Sequence, residues 1–126
     1  MPDDRTRGGR VFIVDDDFLI VEYLRDTVED LGLEVTGTAA TADDAVDRCL
    51  NQPPDVILMD VRLRGAADGV DAAQRIHARI GVPVVFITGS REPSTQERIS
   101  QDCPRAVLIK PITAAQLQAT LREVLG

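Results

Sequence analysis

An open, doubly wound α/β fold around a five-stranded parallel sheet is what this sequence predicts, on three observations. Five short, near-continuous apolar runs recur along the 126 residues. Segments of helical period separate them. A charged residue or a hydroxyl directly follows four of the five runs.

The runs are Val11-Phe12-Ile13-Val14, the weaker Val35 to Thr38, Val56-Ile57-Leu58-Met59, Val84-Val85-Phe86-Ile87 and Ala106-Val107-Leu108-Ile109. Consecutive apolar positions imply burial on both faces, as in parallel strands covered by helices. Between them, residues 18–31 place Ile20, Leu24, Val28 and Leu31 on one stripe. Asp17 is the expected N-cap and Gly32 the C-terminal cap. Residues 42–50 follow Thr41 as N-cap and group Ala42, Ala45, Val46, Cys49 and Leu50. Residues 70–80 carry Val70, Ala73, Ile76 and Ile80. Residues 94–101 make the weakest helix, with Ile99 its one large apolar residue and Ser94-x-x-Glu97 read as its cap. Residues 114–125 open with the capping box Thr113-x-x-Gln116 and bury Leu117, Leu121, Val124 and Leu125. Five strand–helix units with right-handed crossovers give a flavodoxin-like sheet of order 2-1-3-4-5 with five helices. No G-x-G-x-x-G follows the first strand, which disfavours a dinucleotide site. Residues 1–9 are polar and read as a tail, and residues 10–126 as the domain.

Composition narrows the function. At this length folding buries roughly two-thirds of the extended chain's surface, enough for one core. The net charge is -7, from 21 acidic and 14 basic side chains. That balance repels phosphate backbones, so no nucleic-acid partner is expected. Aromatics are 3%, too few for base-stacking platforms. Apolar runs are too short to span a membrane, and no secretory signal opens the chain. Cys49 and Cys103 show no metal or redox spacing, so a cytoplasmic location is expected.

In such sheets ligands bind beyond the carboxyl ends of the strands, where the winding reverses. Asp15 and Asp16 end the first strand and Asp60 the third, so the three acids are expected in one shallow pocket. Thr88, ending the fourth strand, and Lys110, ending the fifth, should flank it. Close carboxylates must take up protons or be neutralised by cations. Oxygen donors with open positions suit Mg²⁺, and Lys110 and Thr88 add a charge and a hydroxyl for a phosphoryl group.

The segments IVDDD, VILMDV, FITGS and LIKP, in that order and spacing, resemble the receiver domain of two-component response regulators over about residues 10–126. Phe18-Leu19-Ile20, Gly37-Thr38-Ala39 and the FITG stretch are similar to stand-alone receivers common in α-proteobacteria. The resemblance implies that Asp60 is the phosphoacceptor, taking a phosphoryl group from a histidine kinase or phosphotransfer protein. It implies direct Mg²⁺ ligation by Asp16, water-mediated ligation by Asp15, a backbone carbonyl ligand from Arg62, and a place for Asp60 in the same metal site. It implies further that Lys110 pairs with the phosphoryl group, that Thr88 hydrogen-bonds it, and that the Lys110–Pro111 bond is cis. Signalling to a downstream protein would use the face of helix 4, strand 5 and helix 5. The domain would assist its own phosphorylation and dephosphorylation without being a turnover enzyme. Three features depart from the family pattern: a longer loop VRLRGAADG after Asp60, Arg62 and Ser90 two residues beyond Asp60 and Thr88, and Val107 in place of an aromatic.

Simpler readings apply elsewhere. Asp43, Asp44 and Asp47 suit a solvated helix start. His77 reads as surface or packing, Cys49 as core and Cys103 as an incidental loop thiol. A phosphate-independent interaction module is the alternative function. An aspartyl phosphatase would carry D-x-D-x-T after the first strand, whereas Asp60 is followed by Val61-Arg62 and ends the third, which disfavours that reading.

Overall fold

The structure is a computed structural model and describes residues 9–102 and 104–126. The expected tail, apart from Gly9, and Cys103 lie outside the described residues. Strands β1 (Arg10–Val14), β2 (Glu34–Ala39), β3 (Val56–Asp60), β4 (Val84–Thr88) and β5 (Ala106–Ile109) alternate with helices α1 (Phe18–Asp30), α2 (Ala42–Asn51), α3 (Gly69–His77), α4 (Pro93–Gln101) and α5 (Ala114–Leu125). The sheet is parallel, in the order β2-β1-β3-β4-β5, as the apolar runs predict. No helix among the described residues is long and apolar enough to cross a membrane.

The sheet divides the core in two. Phe12, Val14, Ile57, Met59, Val84 and Phe86 face α2, α3 and α4. Val11, Ile13, Val56, Leu58, Val85 and Ile87 face α1 and α5. β3 and β4 are buried along their whole length, so the strand ends that carry Asp60 and Thr88 are held rigidly.

Most caps stand where the residues place them. Asp17 accepts from the N–H groups of Leu19 and Ile20, Thr41 from Asp44, and Thr113 and Gln116 form a reciprocal box. Gly32, at φ 82°, follows α1 in the left-handed conformation that glycine permits. On α1 the buried stripe is Val21, Leu24, Thr27 and Val28, whereas Ile20 and Leu31 are only partly buried.

Two expectations are corrected. Ser94 does not cap α4. The helix starts one residue earlier with Pro93 in its first turn and Glu92 as the extended N-cap, because proline's fixed φ and missing N–H suit the first helical position. α3 ends at His77, three residues sooner than its periodicity suggests, although Ile80 still packs on the core. Asp68 and Asp71 form a capping box at the start of α3.

Candidate phosphoryl-acceptor site

The carboxyl ends of β1, β3, β4 and β5 surround a cleft of about 570 Å³, lined by Asp15, Asp16, Asp17, Asp60, Arg62, Thr88, Gly89, Ser90, Arg91, Glu92 and Lys110. All the residues singled out for chemistry therefore meet in one place. β1 and β3 are neighbours, and this adjacency at the reversal of winding brings Asp15 and Asp16 to Asp60. One oxygen from each of the three acids lies within 4.8 Å of the others.

Asp15 is held from both sides. Its Oδ1 accepts from the Asp17 N–H at 2.9 Å, and its Oδ2 from Lys110 Nζ at 3.3 Å. Lys110 Nζ also lies 3.4 Å from Asp60 Oδ1. Asp16 is more open to solvent than the buried Asp15 and Asp60. Burial is the main cause that pushes the Asp60 carboxyl from 3.8 up to about 6, and the charge of Asp15 adds to it against the pull of Lys110. Burial works against the Lys110 ammonium, but the charges of Asp60 and Asp15 outweigh it and raise its pKa.

Thr88 is buried, and its Oγ1 accepts from the Ser90 N–H at 3.0 Å. The Lys110 N–H donates to the Thr88 carbonyl at 2.8 Å, locking β5 to β4 at the pocket floor. The Lys110–Pro111 peptide is cis. Beyond it the Ile112 carbonyl accepts from the Tyr23 hydroxyl at 3.1 Å, tying α1 to this turn.

Gly69 starts α3 directly against the end of β3. Its N–H donates to the Val61 carbonyl at 2.7 Å, and a Cβ at this position would lie 2.0 Å from the Asp60 carbonyl oxygen. Only glycine fits there. The longer loop after Asp60 runs toward β2: the Arg64 N–H donates to the Ala40 carbonyl at 3.2 Å and Arg64 bridges Thr41. Its extra length is thus spent beside the β2 end.

Elsewhere, Asp43 pairs with Arg75 at 2.7 Å across the α2–α3 groove, and Asp43 and Asp44 occupy the first turn of α2. Cys49 is buried, and burial pushes its thiol up to about 12, which leaves it inert. His77 packs between elements. Its Nε2 lies 2.9 Å from the Val82 carbonyl oxygen, and its Nδ1 lies 3.1 Å from Asp102 Oδ2, close enough for an ion pair but not aligned as a hydrogen bond. Sequence spacing hides this partner because it arrives from the end of α4. Phe18 and Leu19 form an exposed apolar surface that helical periodicity alone does not mark as functional. They are 71% and 74% exposed at the start of α1 beside the pocket, and their position off the buried stripe was the available signal.

The profile of the response regulator receiver domain matches residues 11–122. Over 108 residues, 86% of the chain, it is 32% identical to the transcriptional regulatory protein PdtaR of Mycobacterium tuberculosis, 52% of which is covered. Over 117 residues, 91% of the chain, it is 33% identical to the phyllosphere-induced regulator PhyR of Methylorubrum extorquens, 43% of which is covered. The chain thus spans about half the length of these curated relatives. Among solved structures, the signal receiver domain of a modulated diguanylate cyclase from Desulfovibrio desulfuricans G20 superposes with a TM-score of 0.88 at 34% identity, 94% of each chain being covered. The PhyR receiver domain of Erythrobacter litoralis gives 0.81 at 30%, covering 94% of this chain and 91% of that one. With the sheet order, the acidic strand ends and nearly the whole chain matched, this chain belongs to the response regulator receiver domains.

Proposed function

We propose that Asp60 accepts a phosphoryl group from a phosphohistidine of a histidine kinase or phosphotransfer protein, and that the modified domain signals through protein–protein contact. One observation carries this reading: a buried carboxylate at the switch point, facing two more acids and 3.4 Å from the Lys110 ammonium. In the transfer an Asp60 oxygen attacks phosphorus, the P–N bond breaks, and its electron pair leaves with the imidazole. No general base is needed, because the nucleophile already carries the charge.

The acid cluster fits a divalent cation by its chemistry, since three clustered carboxylates with a single lysine between two of them leave negative charge uncompensated. Asp16, Asp60 and the Arg62 carbonyl would hold Mg²⁺ directly, and Asp15 through water, both of its oxygens being already engaged. When bound, the ion offsets negative charge on the carboxylates and on the phosphoryl oxygens. Lys110 orients the Asp60 carboxylate and offers its ammonium to a phosphoryl oxygen, while the Thr88 hydroxyl serves as a further donor. The exposed Phe18 and Leu19, with the apolar cleft between Tyr23 and Ile112, suit a protein donor docking beside the pocket. The outgoing signal uses the face of α4, β5 and α5.

Intact-mass analysis with acetyl phosphate and Mg²⁺ tests this. The expected result is one added phosphoryl group on the wild type and none on Asp60→Asn. An adduct persisting in Asp60→Asn would overturn the assignment. Unmodified wild type that still binds its partner would favour the phosphate-independent module.

A further inference from the structure

α4 is the helix least anchored by apolar burial. Of its nine residues only Ile99 is buried, and its N-cap Glu92 makes no side-chain capping hydrogen bond. Polar ties hold it instead. Gln96 Nε2 donates to the Ser90 carbonyl at 2.8 Å, and the Ser90 N–H in turn donates to Thr88 Oγ1. Arg98 grips both oxygens of Asp68, Nη1 at 2.7 Å and Nη2 at 3.2 Å, and Nη2 also reaches Asp71 Oδ1 at 3.3 Å. Asp68 and Asp71 are the two halves of the α3 capping box. The next residue, Gly69, is the one pressed against the Asp60 backbone. One tie thus reaches the pocket lining through Ser90 and Thr88, and the other ends beside Gly69, which backs the Asp60 main chain.

Bidentate guanidinium–carboxylate pairing is the strongest geometry a surface ion pair can take. Partial burial pushes the Asp68 carboxyl up, but the hydrogen bonds from Arg98 and Asp71 outweigh it and hold it below the usual carboxylate range. The pocket wall formed by Gly89, Ser90, Arg91 and Glu92 leads straight into α4. A group added at Asp60 must be accommodated by that wall, and any shift of the wall is resisted wherever α4 is fastened.

We propose that Arg98 is a positioning residue, clamping α4 to the start of α3 through Asp68 and Asp71 and so holding the pocket wall in its resting place. The role rests on the reading of Asp60 as acceptor. A contact made only in the resting state biases the equilibrium toward it, and removing that contact favours the phosphoryl-bearing state by the same factor. Asp68→Asn is the informative partner variant, because asparagine still caps a helix but carries no charge.

The experiment measures amide exchange over residues 93–101 without ligand, and the affinity for beryllofluoride with Mg²⁺, in wild type, Arg98→Gln, Asp68→Asn and the double variant. Each single variant should speed exchange in α4 and tighten beryllofluoride binding about two- to fivefold. The double variant should add little to either. Arg98→Lys, which keeps the charge without the fork, should restore part of both. Unchanged exchange in the single variants overturns the clamp. Faster exchange with unchanged or weaker beryllofluoride affinity overturns its control of the pocket and leaves a purely structural tie. Wild type that binds no beryllofluoride overturns the Asp60 reading itself and, with it, the role given to Arg98.

Discussion

Lys110 Nζ stands 3.3 Å from Asp15 Oδ2 and 3.4 Å from Asp60 Oδ1, one ammonium shared between two buried carboxylates. It is the only lysine in the chain; the other 13 basic side chains are arginines. A compact ammonium can sit between two acids and still turn toward a third oxygen, whereas a planar guanidinium fork would commit to one of them.

Removing that charge should cost stability. Lys110→Met leaves Asp15 and Asp60 facing each other without their cation and should destabilise the metal-free domain by about 1–2 kcal/mol in urea denaturation. Adding Asp60→Asn to that background should recover most of the loss. A double variant no better than Lys110→Met would show that the pair does not share the ammonium.

The raised Asp60 pKa sets a pH dependence with a definite sign. The folded state binds this proton more tightly than the unfolded chain, so the contribution of Asp60 to stability falls as pH rises from about 3.8 to about 6 and then levels. Asp60→Asn removes this term. Its stability advantage over metal-free wild type should be absent below about pH 3.8, grow through that interval and stay constant above it. An advantage independent of pH would contradict the burial argument.

On the proposed reading Mg²⁺ should stabilise the fold, since the acid cluster that would hold it is assembled only in the native state. The gain follows RT ln(1 + [L]/Kd), about 1.4 kcal/mol at tenfold excess over Kd. Thermal melts with and without the ion check it. Asp16→Ala should abolish the gain, and a wild-type melting temperature indifferent to Mg²⁺ would count against the metal site.

Val107 should not be needed for phosphotransfer. It is a partly buried residue on the edge strand β5, packed on the α2–α4 side of the core, and its branched side chain has little reach. Val107→Ala should cost about 1 kcal/mol of stability and leave the phosphorylation rate nearly intact. With a beryllofluoride mimic, amide exchange should change most from Gly89 through α4. A change centred elsewhere, or loss of phosphotransfer in Val107→Ala, would redirect the signalling route.

Much of this protein is written locally. Runs such as Val56 to Met59 are apolar at every position because both faces of the sheet are covered, so strand identity and sheet class follow from neighbours in the chain. Caps such as Asp17, Thr41 and Thr113 act over two or three residues and are equally legible. The acids at the ends of β1 and β3 could be placed together because the topological rule converts strand order into adjacency. What only the tertiary structure decided depends on groups far apart in sequence. The sharing of one lysine by Asp15 and Asp60 is of this kind, as are the forced glycine at position 69, the turn of the long loop toward Ala40, the pairing of His77 with Asp102 and the grip of Arg98 on Asp68. Each depends on a distance of a few ångströms between side chains or backbone atoms, and periodicity carries no information about that. The start of α4 differs from its local signal for a related reason: Ser94-x-x-Glu97 is a valid cap pattern, but Pro93 satisfies the first helical position without it, and backbone geometry chose between them.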